Sequence, residues 1–268
     1  VRRLTYKEAT EQKDSPELKP LFEIAEKNVE RRKKSGATNI DLPEIHMSVD
    51  PETKKVQIGP LERYAADSMV CEMMLLAGEG AAYFAFNNGI PFPYVSQEAP
   101  DVPKDILPGL AGQFQLLRCM HKRSVGVTPG MHSGLGLALY SQVTSPLRRY
   151  GDLIAHQQLR SYLNGEKLLD KDTMLERISH GDAASVAARK ASRLSEIHWK
   201  LIYLLQNPEW TGTAVCIDKK YEDPLFMIPS LALQASIKGL TDINLNDEIT
   251  VKVQGIDIPT QKVEFVKV

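Results

Sequence analysis

Arg148 and Arg149 stand side by side in Thr144-Ser-Pro-Leu-Arg-Arg-Tyr-Gly-Asp152, and two adjacent guanidinium groups at a helix start suit a phosphate. The spacing predicts that start: Ser145 offers a capping hydroxyl, Pro146 has the preset φ of a first helical residue, and both arginines fall in the first turn. Free backbone N–H groups and the positive end of the helix dipole attract anions there. Arginine suits the task better than lysine, because its planar fork can hold two phosphate oxygens at once. The same residues would also make a capped surface helix with two solvated arginines, and local chemistry alone does not choose between the two.

The elements that must carry this turn are legible in outline. The chain has 268 residues and a formal net charge of −1, so any basic surface is local. Arg118, Lys122, Arg123, Arg148, Arg149 and Arg160 form such a stretch, although a charge run of this kind is commonly a solvated face. Cys71, Cys119 and Cys216 are far apart, odd in number and set among apolar residues, which predicts reduced core thiols of a cytosolic protein. No stretch of about eighteen apolar residues occurs, and the N-terminus lacks the order of a signal peptide, so a soluble, cytoplasmic protein without membrane contact is expected. The first residue is Val rather than Met, which suggests a fragment.

Thr5 precedes a short helix; Ser15 and Pro16 open a second, which runs to Gly36. A hairpin is expected over 44–58 and a third helix over 62–86, with Met69, Val70, Met73, Leu76, Ala77 and Ala81 as its core stripe. The prolines between 90 and 108 predict an extended connection. Helices follow to Gly165 and over 171–205, ending at Pro208. Five short alternating strands then predict a small antiparallel barrel. Tyr221 and Phe226 could present aromatic faces for base stacking, or equally belong to the barrel core.

Tyr140 to His156, preceded by Met131-His-Ser-Gly-Leu-Gly136, resembles the signature of the ribonuclease II family, the RNB-domain exoribonucleases. The usual form reads roughly Y-x-H-F-T-S-P-I-R-R-Y-x-D-L-x-x-H, and this chain departs from it at Gln142, Val143 and Leu147. Arg3-Leu-Thr-Tyr6-x-Glu8, the Met69–Gly78 helix and Tyr94–Asp101 are similar to further family segments in the right order. The implied fold is α+β: the C-terminal part of an RNB catalytic core over 1–206, then a five-stranded antiparallel barrel of the OB/S1 type over 207–268.

The resemblance implies 3′→5′ hydrolysis of single-stranded RNA to nucleoside 5′-monophosphates with two divalent ions, magnesium in the family. Arg148 matches the arginine that stabilises the scissile phosphate. Arg149 would hold a neighbouring phosphate or a scaffold carboxylate. Tyr6 matches the aromatic that packs on the terminal base and Glu72 the acidic residue beside it, each with a purely structural alternative. Arg189 and Arg193, four apart on a helix, would grip the RNA backbone. His132 and His156 match family positions as hydrogen-bonded structural residues. The family's Asp-rich metal site lies upstream of the Tyr6 segment and has no counterpart here; Asp170 with Asp172 and Asp242 with Asp247 lack its spacing. No metal ligand is therefore assigned, and the N-terminal part of the same enzyme is the expected partner, with no obligate homo-oligomer implied. Alone, the chain is expected to be inactive. The rival classes are a non-catalytic RNA-binding or regulatory protein on a truncated scaffold and, third, a phosphate-binding module unrelated to RNA.

Overall fold

A computed structural model describes residues 2–103, 105–220, 223–240 and 242–268. They form two compact units, each assembled from separated stretches: Val1–Asn39, Arg63–Asp101 and Met120–Ala187 in the first, and Ile40–Glu62, Val102–Cys119 and Ala188–Val268 in the second. The second unit reaches beyond the strands expected over 207–268, because a hairpin, a short helix and the end of a long helix bury their apolar residues with the barrel.

In the first unit, α1 (Tyr6–Glu11) starts with a reciprocal cap: the Glu8 amide donates to Thr5 Oγ1 at 3.2 Å and the Thr5 amide to the Glu8 carboxylate at 2.7 Å. Helix α2 (Lys19–Lys34) begins later than Ser15-Pro16 suggests. Ser15 heads a separate turn, its carbonyl accepting from the Lys19 amide at 2.9 Å, and Pro20 sits in the first helical turn, where its missing N–H costs nothing. Helix α3 (Ala65–Asn87) buries Ala66, Met69, Glu72, Leu75, Gly78, Glu79, Ala82 and Ala85, whereas Ala77 of the expected stripe is exposed.

By length and composition α3 could cross a membrane. Its two buried glutamates instead pair with α2: Arg32 with Glu72 and Arg31 with Glu79. Its first turns pack Ala66 and Met69 against Ala9 of α1 and Ala25 of α2. Tyr94–Ser96 (β3) and Ser124–Gly126 (β4) make a short antiparallel pair that the proline-rich sequence did not suggest. Helix α5 (Tyr150–Leu163) closes the unit, with Ile154 meeting Met174 and Ile178 at the start of α6 (Lys171–Gln206).

The second unit is built on five antiparallel strands in the order β7-β6-β5-β8-β9, where β5 is Thr211–Asp218, β6 Leu225–Ile228, β7 Leu233–Ser236, β8 Glu248–Asp257 and β9 Lys262–Lys267. The outer strands β7 and β9 approach one another, so the sheet is a nearly closed barrel around Ala214, Cys216, Phe226, Ile228, Val251 and Phe265. Gly212 is required by close approach: a Cβ there would lie 2.4 Å from the Trp210 indole, which packs on Phe265 at 5.9 Å. The hairpin β1 (Ile45–Val49) and β2 (Val56–Pro60) packs Ile58 on the same core.

Helix α4 (Gly109–Cys119), absent from the sequence-based expectation, lays Phe114 on Ile217 and Met227. Asn246 caps it, accepting from the Ala111 amide at 2.9 Å and donating to the Pro108 carbonyl at 2.8 Å, and Arg118 pairs with Asp218 at its far end. This helix escaped notice because its apolar residues follow a barrel surface assembled more than 95 residues later.

Helix α6 runs from the first unit into the second, and all its residues over 186–196 are exposed. Alanines at 183, 184, 187, 188 and 191 hold it there by propensity rather than by packing. Ala188→Gly is therefore expected to cost about 1 kcal/mol of local helix stability. Amide exchange over 186–196 should be faster than over 198–204 and faster still in the variant; equal protection along the helix would refute this.

Candidate nucleic-acid interface

The arginine turn differs from its expected form. Helix α5 begins at Tyr150, with Arg149 as its extended N-cap residue, and Ser145–Arg149 is a separate turn ahead of it. The Ser145 carbonyl accepts from the Arg148 amide at 3.2 Å and the Arg149 amide at 3.0 Å. Ser145 thus closes the turn through its backbone instead of capping the helix with its hydroxyl. The reason is Asp152, buried in the first turn of α5, whose Oδ2 accepts from the Ser145 amide at 2.7 Å and from Arg149 Nη2 at 2.7 Å. An acidic residue three places into a helix, reaching back to an earlier amide, is a capping-type signal that the sequence did carry.

The two arginines consequently part company. Arg149 is tied to Asp152 and lies 3.3 Å from Thr144 Oγ1, which makes it a scaffold residue. Arg148 is exposed, and among the described residues its guanidinium has no ion pair or hydrogen bond; Leu147 beside it is fully in solvent. One unneutralised guanidinium therefore stands at the turn. The rest of the basic stretch is partly neutralised, since Arg118 pairs with Asp218 and Arg123 with Asp182 at 3.7 Å.

Tyr6 is half-exposed at the first position of α1. Glu72 is placed otherwise than the resemblance implies: it is buried, Arg32 Nη2 donates to Oε1, and Arg32 Nε at 3.0 Å and Asn28 Nδ2 at 2.7 Å donate to Oε2. Both oxygens are engaged within the protein, a role that neither a base contact nor a solvated helix position anticipated. Arg32 and Asn28, forty or more residues away, gave no local signal. Glu72→Gln should strand the nearly buried Arg32 and lower stability by about 3 kcal/mol, read as a shifted urea midpoint. An unchanged midpoint would remove Glu72 from the fold's support.

Arg189 and Arg193 are both exposed, four apart on α6 in the second unit. Phe226 is fully buried barrel core, so it offers no stacking face, and Tyr221 lies outside the described residues. Cys216 is a core thiol as expected, but Cys71 is exposed and Cys119 half-buried. His156 Nε2 meets the Val143 carbonyl at 2.6 Å. His132 is buried edge-to-face against Tyr140, their ring centroids 5.8 Å apart.

Burial, with the Arg123 charge as a lesser cause, pushes the His132 imidazole below its ordinary pKa of 6.5. Below that ordinary value the unfolded chain takes up a proton more readily than the folded one. The stability His132 contributes is therefore complete above about pH 6.5 and falls as the pH drops toward the lowered folded pKa. His132→Phe should flatten melting temperature against pH between roughly 5 and 7; an unchanged slope would refute the assignment.

Among the described residues no three His, Cys, Asp or Glu side chains come together to hold a metal ion. Asp170 caps α6 by accepting from the Thr173 amide at 2.8 Å, which holds its carboxyl below the usual range. Asp247 likewise accepts from the Asn244 amide at 2.7 Å. The side chains described in this chain do not fit a two-ion site.

The RNB domain family matches residues 1–104 and 110–165, and the chain belongs to that family. An uncharacterised ribonuclease of Synechocystis sp. is 34% identical over 277 residues, covering 98% of this chain and 41% of its own length. The chloroplastic/mitochondrial ribonuclease II of Arabidopsis thaliana is 28% identical over 272 residues, covering 94% of this chain and 34% of its own. Among solved structures, Mycoplasma genitalium RNase R in complex with ribose-methylated single-stranded RNA superposes with a TM-score of 0.75 at 18% identity, over 94% of this chain and 49% of that one. The chain spans less than half the length of these curated relatives.

Proposed function

We propose that this chain is the C-terminal part of a 3′→5′ exoribonuclease that hydrolyses single-stranded RNA to nucleoside 5′-monophosphates. The observation that carries the reading is Arg148, exposed and without a counter-charge on a braced turn inside the family signature. A guanidinium carried on a braced turn and meeting the scissile phosphate stabilises the charge growing on its oxygens. Arginine can meet two of those oxygens at once. Arg149 keeps the turn in shape, and Tyr6 supplies an aromatic face for the 3′-terminal base.

Arg189 and Arg193, with the exposed lysines 238, 252, 262 and 267 of the barrel, contact the RNA backbone, the barrel acting as an S1-type RNA-binding domain over 207–268. The divalent ions, magnesium in this reading, take their aspartates from sequence outside this chain, because the described residues do not assemble a site. The chain alone is then inactive, and its partners are single-stranded RNA and the N-terminal part of the same enzyme. A cytoplasmic location belongs to the same reading, supported by three unpaired thiols.

The rival reading is an RNA-binding protein on an RNB scaffold without catalysis, in which the exposed Arg148, Arg189 and Arg193 serve binding alone. The deciding experiment measures magnesium-dependent release of mononucleotides from single-stranded RNA by the full-length protein, with Arg148→Ala as control. Release that depends on Arg148 supports the nuclease; salt-sensitive RNA binding without release supports the rival. Absence of both overturns the reading.

A further inference from the structure

We infer that Asp152 is a positioning residue that acts through Arg148, a role that rests on Arg148 being the phosphate ligand. Asp152 is completely buried, and its Oδ2 spans the turn, accepting from the Ser145 amide at one end and from the Arg149 side chain at the other, both at 2.7 Å. Between those points the Ser145 carbonyl closes the turn, accepting from the Arg148 and Arg149 amides. His156, one helical turn further along α5 and on the same face, holds the Val143 carbonyl at 2.6 Å. Two side chains four apart on a helix thus clamp two positions two apart on the incoming segment.

Arg148 has no side-chain hydrogen bond or ion pair among the described residues, and the neighbouring Leu147 is wholly exposed. The point from which the Arg148 side chain reaches out is therefore set by the backbone beneath it, and that backbone is set by Asp152. The same carboxylate neutralises Arg149, which leaves Arg148 as the free positive charge of the turn. Misplacing a catalytic group by about 1 Å costs on the order of 100-fold in rate, so a loosened turn should register in kcat before it registers in affinity.

The test is a double-mutant cycle in the full-length enzyme, with single-stranded RNA as substrate: Asp152→Asn, Arg148→Ala and the pair. Asparagine keeps the size of the side chain and an oxygen for the Ser145 amide but gives up the charge that holds Arg149. The expected result is a kcat loss of about tenfold or more for Asp152→Asn, with KM nearly unchanged and almost no further loss when it is added to Arg148→Ala. An equal loss in both backgrounds, or an unaltered kcat in folded Asp152→Asn, overturns the proposal. Should Asp152→Asn not fold, the exposed brace His156→Ala is read in the same cycle; its smaller kcat loss must again vanish without Arg148, and a loss that persists overturns the proposal. Full activity in Arg148→Ala refutes the phosphate-ligand reading itself, and a kcat loss in Asp152→Asn alone would then show Asp152 acting by another route.

Discussion

Replacing Gly78 with alanine is expected to destabilise the first unit by about 3 kcal/mol or more, the upper range for forcing extra volume into a packed core. A Cβ at this position would lie 2.4 Å from the Ser141 carbonyl oxygen and 2.5 Å from the Tyr140 ring. The oxygen is backbone and cannot rotate away. The crossing is also pinned, since the Ser141 amide donates to the Gly78 carbonyl at 3.3 Å and its hydroxyl to the Pro93 carbonyl at 2.7 Å. The segment that crosses α3 at Gly78 leads directly into the arginine turn, so the clash also displaces the site. Gly80, two residues along the same helix, is exposed and has nothing within 4 Å of where a methyl group would stand, and Gly80→Ala should leave stability equal or raise it by up to about 1 kcal/mol. Thermal melts of the two variants separate the effects. A Gly78→Ala protein that melts with the parent would show that the crossing is looser than its geometry.

The second large effect divides two adjacent arginines. On the proposed exoribonuclease reading, Arg148→Ala should lower the rate of mononucleotide release on the order of 100-fold or more, as the loss of other preorganised charge-stabilising donors does. Its melting temperature should stay with the parent, because Arg148 is exposed and supports no other side chain. Arg149→Ala should act chiefly on stability, with a rate loss of about tenfold from the loosened turn instead of 100-fold. It leaves Asp152, completely buried, without its guanidinium and should cost about 3 kcal/mol, the lower end for stranding a buried charge because the Arg149 side chain is 27% exposed. Measuring stability and rate on both variants distinguishes them, and identical profiles would mean that the turn does not partition its arginines as described.

Elements governed by neighbours in sequence were legible. The Thr5–Glu8 cap, the hairpin over 45–60, the ends of α5 and α6 and the five barrel strands lie within a few residues of their expected places, because caps, turns and alternation act over short distances. Start points were less secure. The Ser-Pro pairs at 15–16 and 145–146 both look like helix openings, and both belong to separate turns that precede a helix. Distant partners were invisible: nothing near Glu72 announces Arg32, and nothing near Phe114 announces Ile217.

The sequence by itself determined the family, the order of the elements and the presence of an arginine pair inside a long signature, since these depend on residue types at fixed local spacing. Only the tertiary structure decided which arginine is free. Asp152 could claim Arg149 because helix α5 starts after the turn rather than within it, and a buried carboxylate binds the guanidinium that its backbone geometry brings within reach. The same long-range pairing took Glu72 into the α2–α3 seam and gathered separated stretches around the barrel, because charge pairing and apolar burial respond to proximity in space, which local spacing does not encode.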